Sequence, residues 1–232
     1  MPLERLIDGP ADGPASLLLA HGAGAPMDSP VMAAIATGLA QRGWRVVRFE
    51  FPYMARRRQT GSRGAPDRLP RLLESFRDQV ALEPGDRPLL IGGKSLGGRV
   101  ASLLVDELAA VGPVGGCLCL GYPFHPPGRP DQLRTGHLAQ LRTPTLILQG
   151  ERDSFGRRDE VESYPLAAAV AVQWIPAGDH SFKPTRSSGL TEADNWSTAV
   201  EQTHRFWSAR LGQPDTRCSS SWVADSQAPR SS

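Results

Sequence analysis

What this chain has little of narrows the possibilities first. Charge of one sign is scarce: 26 Lys and Arg against 24 Asp and Glu leave a net charge of +2. That balance is too small to point to nucleic acid or to an acidic partner. Long hydrophobic runs are missing too, none approaching the about 20 residues a membrane span requires. The opening "MPLERLIDGP" has no charged-then-apolar pattern of an export signal, so the expected location is the cytoplasm, with no membrane partner. Cysteines number only 3. Cys117 and Cys119 sit two apart in an apolar run, where a strand turns both to one side, and "CLCL" offers no further ligands at metal spacing. They are expected to be buried core thiols, and no metal or cofactor is implied. Internal repeats are absent as well.

What is there is a rhythm of short apolar runs and helix-like stretches from residue 16 to 211. "SLLLAHG", "WRVVRFEF", "RPLLIGG", "GGCLCLGYP", "TPTLILQGERD" and "AVAVQWIPAGD" read as strands. Val31–Gln41, with Ser29 as N-cap and Pro30 at the first position, reads as a helix. So do Arg68–Leu82, Ser95–Ala109 and Thr191–Leu211. Strands alternating with helices imply βαβ units, hence a mostly parallel central sheet with helices on both faces. The strands are apolar along their whole length, as doubly covered strands should be. At this length one domain is the default, 1–211, followed by a Ser- and Pro-rich stretch, 212–232, expected to be a disordered tail. Two segments break the rhythm and are expected to be loops, the basic Pro52–Asp67 and the Pro-rich Pro123–Leu141.

The stretch Gly92-Gly93-Lys94-Ser95 admits two readings. A phosphate-binding loop needs a glycine five residues before Gly93, and that position holds Pro88. A nucleophile elbow needs Gly-x-Ser-x-Gly between a strand and a helix, and Gly93-Lys94-Ser95-Leu96-Gly97 fits. The turn is so tight that side chains two residues either side of the serine would collide.

A serine hydroxyl is a poor nucleophile, so it needs a base, and the base needs an orienting carboxylate. In chain order the acid should end a later strand and the histidine should follow the last one. Asp153 and His180 stand there, at carboxyl ends of strands where sites of open α/β sheets form. Glu151 is a competing acid. Asp179 is expected to fix the turn beside His180, His125 and His137 to reach the site mouth, and His204 to pack on the last helix. The oxyanion of an acyl intermediate needs amide donors. Leu96 at the helix start is one, and the loop "LLLAHGAGAP" offers Ala23, then Gly24. The same glycines fail as a dinucleotide loop, since the third would fall on Met27.

With Ser95, Asp153, His180 and the His21-Gly22 loop in place, the chain resembles the α/β-hydrolase superfamily from about residue 15 to 211. "HGAGAPMDSPVM", "RFEFPYMARRR", "GGKSLGGRVAS", "LGYPFHPPGRPDQLRTGHL" and "QGERDSFG" look like the small, capless predicted hydrolases of the testis-expressed protein 30 and KANSL3-like group. Dienelactone hydrolases are more distant and carry a cysteine where this chain has Ser95. The resemblance implies an α/β-hydrolase fold with no large lid domain, and a Ser-His-Asp triad.

The expected function is a serine hydrolase of ester-type bonds working through an acyl-enzyme on a small-molecule acyl substrate. The alternatives are a non-catalytic binding or scaffold protein of this fold, or an acyltransferase or peptidase built on it. The run Arg56-Arg57-Arg58, with Arg63 and Arg68, reads first as a solvated basic loop and second as a grip for an anionic group. His21, Tyr122, His125 and Arg57 are the candidate substrate-binding residues.

Overall fold

The computed structural model describes residues 4–61 and 64–212. Among the described residues there are seven strands: β1 (Arg5–Asp8), β2 (Ser16–Ala20), β3 (Arg45–Phe49), β4 (Leu89–Lys94), β5 (Val114–Leu120), β6 (Thr145–Gly150) and β7 (Val170–Ile175). Between and after them come α1 (Pro30–Ala40), α2 (Pro52–Thr60), α3 (Leu69–Ala81), α4 (Leu96–Val111), α5 (Arg158–Val161) and α6 (Glu192–Leu211). The sheet order is β1-β3-β2-β4-β5-β6-β7. Among the described residues only the β1–β3 pair is antiparallel, so the sheet is mostly parallel, as the strand–helix alternation implies.

The period-two alternation of each strand divides the core into two layers. Leu18, Val47, Ile91, Cys117, Cys119 and Ile147 face one side, where Leu72 and Phe76 of α3 and Val100 and Leu104 of α4 cover them. Leu17, Val46, Leu90, Leu118 and Leu146 face the other, under Met32 and Ile35 of α1 and Phe206 and Trp207 of α6. Every residue of β2, β4 and β6 is buried, which is why these runs carry no polar alternation. The Cys117 and Cys119 sulfurs lie 3.8 Å apart inside the first layer.

Helix ends follow their local chemistry. Thr191 caps α6, its hydroxyl accepting from Asp194 N at 3.2 Å while the Asp194 carboxylate accepts from Thr191 N at 2.8 Å. Pro30 opens α1.

Three sequence expectations change. The start of the Pro52–Asp67 segment is not a loop: Pro52–Thr60 is helical, opened by Pro52 and closed by left-handed Gly61 at φ 69. Only Tyr53 and Met54 of α2 are buried, so its apolar period is too sparse to read. The edge strand β1 was not expected, its four residues being too short and too charged to alternate clearly. Pro88 precedes β4 rather than lying within it, its carbonyl accepting from Ser16 N at 3.0 Å. The Pro123–Leu141 connection holds one short 3-10 turn, Leu138–Gln140, and no lid domain. Arg63, Cys218 and residues 213–232 of the expected tail lie outside the described residues.

Candidate active site

Ser95 is the one residue between β4 and α4. Its φ of 50 lies in the left-handed region, a conformation that costs a non-glycine residue about 1–3 kcal/mol. The surroundings enforce it. Ser95 N donates to Leu120 O and Arg99 N donates to Ser95 O, both at 3.0 Å. A Cβ on Gly93 would collide with Ala20 O and stand 2.7 Å from Gly97 C, and one on Gly97 would meet Ala20 O and stand 2.8 Å from His21 O. Only bare glycines allow strand and helix to close on the serine.

The turn after β6 and the loop after β7 bring the other two side chains to it. Ser95 Oγ lies 2.8 Å from His180 Nε2, and His180 Nδ1 lies 2.7 Å from Asp153 Oδ2. A carboxylate only accepts, so Nδ1 carries the imidazole proton and Nε2 is left to accept from the Ser95 hydroxyl. Asp153 is wholly buried. Its oxygens also accept from Gln149 Nε2 and Phe155 N, each at 2.9 Å, which holds the carboxylate in its orientation. His180 is held below the usual imidazole range, first by burial and then by the Lys94 charge, against the opposing bond to Asp153.

Glu151 turns away, accepting from Ala177 N at 2.8 Å and pairing with Arg158 at 3.2 Å, so Asp153 is the acid that meets His180. Asp179 fixes the turn, accepting from Ser181 N at 2.8 Å and Lys183 N at 3.0 Å.

The serine opens onto a cleft of about 420 Å³. Ala23, Gly24, Phe155 and Trp196 are among its walls, with Glu192 and Lys94 the charged residues that line it. Leu96 N is the first amide of α4, one of the donors a helix leaves without an internal partner, at the positive end of its dipole.

The loop carrying Ala23 is braced from α2 and β3. Tyr53 OH donates to Ala23 O at 3.1 Å, Arg48 Nη1 donates to Met27 O at 3.0 Å, and Arg58 grips both oxygens of Asp28 at 2.9 Å. Arg58 also holds buried Glu50 at 2.6 Å, and Arg56 pairs with Asp67 at 2.7 Å. Two arginines of the basic run are thereby engaged with carboxylates.

None of the four candidate substrate-binding residues lines the cleft. His21 is buried, its Nε2 accepting from Phe51 N at 3.0 Å and its Nδ1 bonded to Gly22 O at 2.6 Å, so it braces the loop from behind. Tyr122 is fully buried and donates to Arg134 O at 2.9 Å. His125 is buried against Pro126 O at 2.9 Å. Arg57 is half-buried on α2. His137 does not reach the mouth either, its Nε2 meeting Ser102 Oγ at 2.9 Å. His204 packs within α6, accepting from Trp44 Nε1 at 3.1 Å.

Sequence reading missed Gln149, whose signal was a lone polar residue in "LILQG". Fully buried, it accepts from Tyr122 N at 2.7 Å and donates to Tyr122 O and Gly156 O at 3.2 Å besides binding Asp153. It also missed Phe155, stacked on His180 with ring centres 4.2 Å apart, and the cleft residues Trp196 and Glu192. No local pattern distinguishes those from ordinary loop and helix residues. Among the described residues no group of three or more His, Cys, Asp or Glu is placed to hold a metal ion.

Known proteins agree with this architecture. A family model described as an alpha/beta hydrolase domain matches residues 13–208. An alpha-beta serine hydrolase homologue from Coxiella burnetii superposes with a TM-score of 0.65 at 19% identity, over 88% of this chain and 91% of that one. A dienelactone hydrolase from Anabaena variabilis gives 0.63 at 21% identity over 90% and 91%. A serine hydrolase without a lid from Xanthomonas campestris gives 0.58 at 20% identity over 89% of each chain. At these identities the likeness is one of fold, and the family match spans most of the sequence. The chain belongs to the alpha/beta hydrolase domain family.

Proposed function

We propose that this protein is a serine hydrolase that cleaves ester-type acyl bonds through a covalent acyl-enzyme. The observation that carries the reading is the unbroken hydrogen-bonded line from Ser95 through His180 to buried Asp153, opening onto a cleft. Ser95 Oγ attacks the acyl carbon as its proton passes to His180 Nε2, while Asp153 stabilises the imidazolium. The carbonyl oxygen becomes an oxyanion, held by the N–H of Leu96 and that of Ala23, with Gly24 next. His180 then gives its proton to the leaving alkoxide as the acyl–oxygen bond breaks. Water repeats the sequence on the acyl-enzyme, releasing the acid and restoring Ser95.

The rings of Phe155 and Trp196 along the cleft, with Val31 and Pro30, suit an apolar acyl or alcohol group of modest size. The open mouth, with no lid domain in the Pro123–Leu141 connection, suits small or accessible substrates. The motifs quoted above support placing the chain in the capless branch that includes the testis-expressed protein 30 group.

Wild-type protein is expected to label with a fluorophosphonate probe and to hydrolyse short p-nitrophenyl esters, while Ser95→Ala does neither. His180→Ala should lose about as much activity as Ser95→Ala, and the double variant no more than either, as residues acting as a unit do. Equal labelling of Ser95→Ala, or none of wild type, overturns the reading and favours a non-catalytic member of the fold.

A further inference from the structure

Lys94 has no place in the steps above, yet it lies beneath them. It ends β4 one residue before Ser95, and only 7% of it is exposed. A buried ammonium without a paired carboxylate is strongly disfavoured. No carboxylate of the described residues forms an ion pair with Lys94; Asp153 and Asp179 act on it from further away.

The ammonium and the base border the same small space. A Cβ on Gly121 would stand 3.0 Å from Lys94 Nζ and 3.4 Å from His180 Nδ1, so both nitrogens face one small gap. Gly121, at φ 64, leaves that gap open. The imidazole nitrogen facing it is the one bonded to Asp153.

We propose that Lys94 is a positioning residue whose buried charge, set beside His180, fixes the acid edge of the pH range in which Ser95 is activated. The proposal rests on His180 serving as base to Ser95. The titratable groups around Lys94 and His180 come from three elements: Asp153 from the turn after β6, Asp179 and His180 from the loop after β7, and Glu192 of α6, which lines the same cleft. The loop after β2 presents Gly22 and the loop after β5 presents Gly121, neither of which carries a side-chain charge.

The electrostatic directions agree with the geometry. Burial is the first influence lowering His180 and the Lys94 charge the second, while Asp153 and Asp179 raise it. Burial likewise pulls Lys94 itself down to about 8, with the two carboxylates opposing. The consequence has a definite sign. Only unprotonated His180 can accept from Ser95, so a cation that resists its protonation moves the acid limb of kcat/KM to lower pH.

The test is an NMR titration of His180 in full-length protein with labelled histidine, set beside the pH profile of kcat/KM. Lys94→Met should raise the His180 midpoint by about one pH unit. The acid limb should move up with it, cutting activity at the wild-type midpoint about five-fold. Lys94→Arg keeps the charge and should restore the wild-type limb. In the unmutated protein His180 should also sense a second ionisation near 8, as Lys94 loses its proton. An unmoved midpoint in folded Lys94→Met overturns the proposal. Should that variant not fold, the absence of the second inflection in wild type overturns it equally. The NMR arm needs no turnover, so failure of the hydrolase reading, seen as absent fluorophosphonate labelling, is separately visible.

Discussion

Ser95 has two flanks, and they are held in place by different physics. On one side the 21–29 loop, which carries Ala23, adds ion pairs at its Asp28 end to the hydrogen bonds of His21 and Tyr53. Arg58 bridges Asp28 and Glu50, with 37% of the Arg58 side chain and 45% of the Asp28 side chain exposed. On the other side the loops carrying Asp153 and His180 are tied by neutral, buried hydrogen bonds. Gln149 joins Tyr122, Asp153 and Gly156, and Asn195 of α6 donates to Phe182 O at 2.7 Å and Pro176 O at 3.0 Å. Exposed ion pairs compete with water and salt and contribute little each, whereas buried amide bonds do not face that competition. The Asp153–His180 side is therefore the more rigid flank, and the Ala23 loop is the flank whose ion pairs ionic strength can loosen.

Gln149 offers the largest test of that contrast. Gln149→Leu removes partners from a fully buried carboxylate and two backbone carbonyls, and should destabilise the protein by about 2–4 kcal/mol in urea melts. Activity should fall by at least about 100-fold where the variant remains folded, since Asp153 loses a bond that orients it. A loss of only the size expected at an exposed site would remove the claim that this flank is the rigid one.

Lys94 should show a stability effect of opposite sign. Its folded pKa lies below its unfolded one, so the charge costs stability fully below about 8 and progressively less as pH rises toward the ordinary lysine value of 10.5. Lys94→Met should accordingly be more stable than wild type by about 3 kcal/mol at neutral pH, the gap closing in alkaline melts. A lysine kept at such a cost, beside His180, fits a functional reason better than a structural one.

The smallest effect belongs to the charged flank. Arg58→Met should lower kcat/KM about ten-fold and stability by about 1 kcal/mol, with Glu50 left short of a partner. Wild-type kcat/KM should itself decline with added salt, and that decline should flatten in Arg58→Met. Arg57→Ala, on the same helix but off the cleft wall, is the control expected within about two-fold of wild type. Equal salt dependence in wild type and Arg58→Met would erase the distinction between the flanks.

Much of this layout was legible along the chain. The apolar runs that became β2, β4 and β6 report burial on both faces, which any solvent-facing sheet would have broken with polar alternation. The elbow was legible because its constraint is local. Gly93 and Gly97 lie within two residues of Ser95, and the clashes they avoid arise from the turn itself. Asp153 and His180 could be proposed because the connections of a parallel sheet put the carboxyl ends of its strands at one edge.

The misread residues share a different origin. His21 looked like a substrate contact and proved a brace, because its ring meets Phe51 N at the end of a strand pairing that only the sheet order creates. The Arg56-Arg57-Arg58 run looked like a solvated loop or an anion grip. It became part of a helix whose arginines reach Asp28, Glu50 and Asp67, partners scattered over the sequence.

Backbone sterics and hydrophobic period act between chain neighbours, so the strand–helix alternation, the strained serine and the order of its partners were all contained in the sequence. The pairing of Asp153 rather than Glu151 with His180, the wall formed by Phe155 and Trp196, and the burial of Lys94 were decided only on folding. Each depends on where loops from β2, β4, β5, β6 and β7 converge, and that convergence follows from strand order and register between segments far apart in the chain.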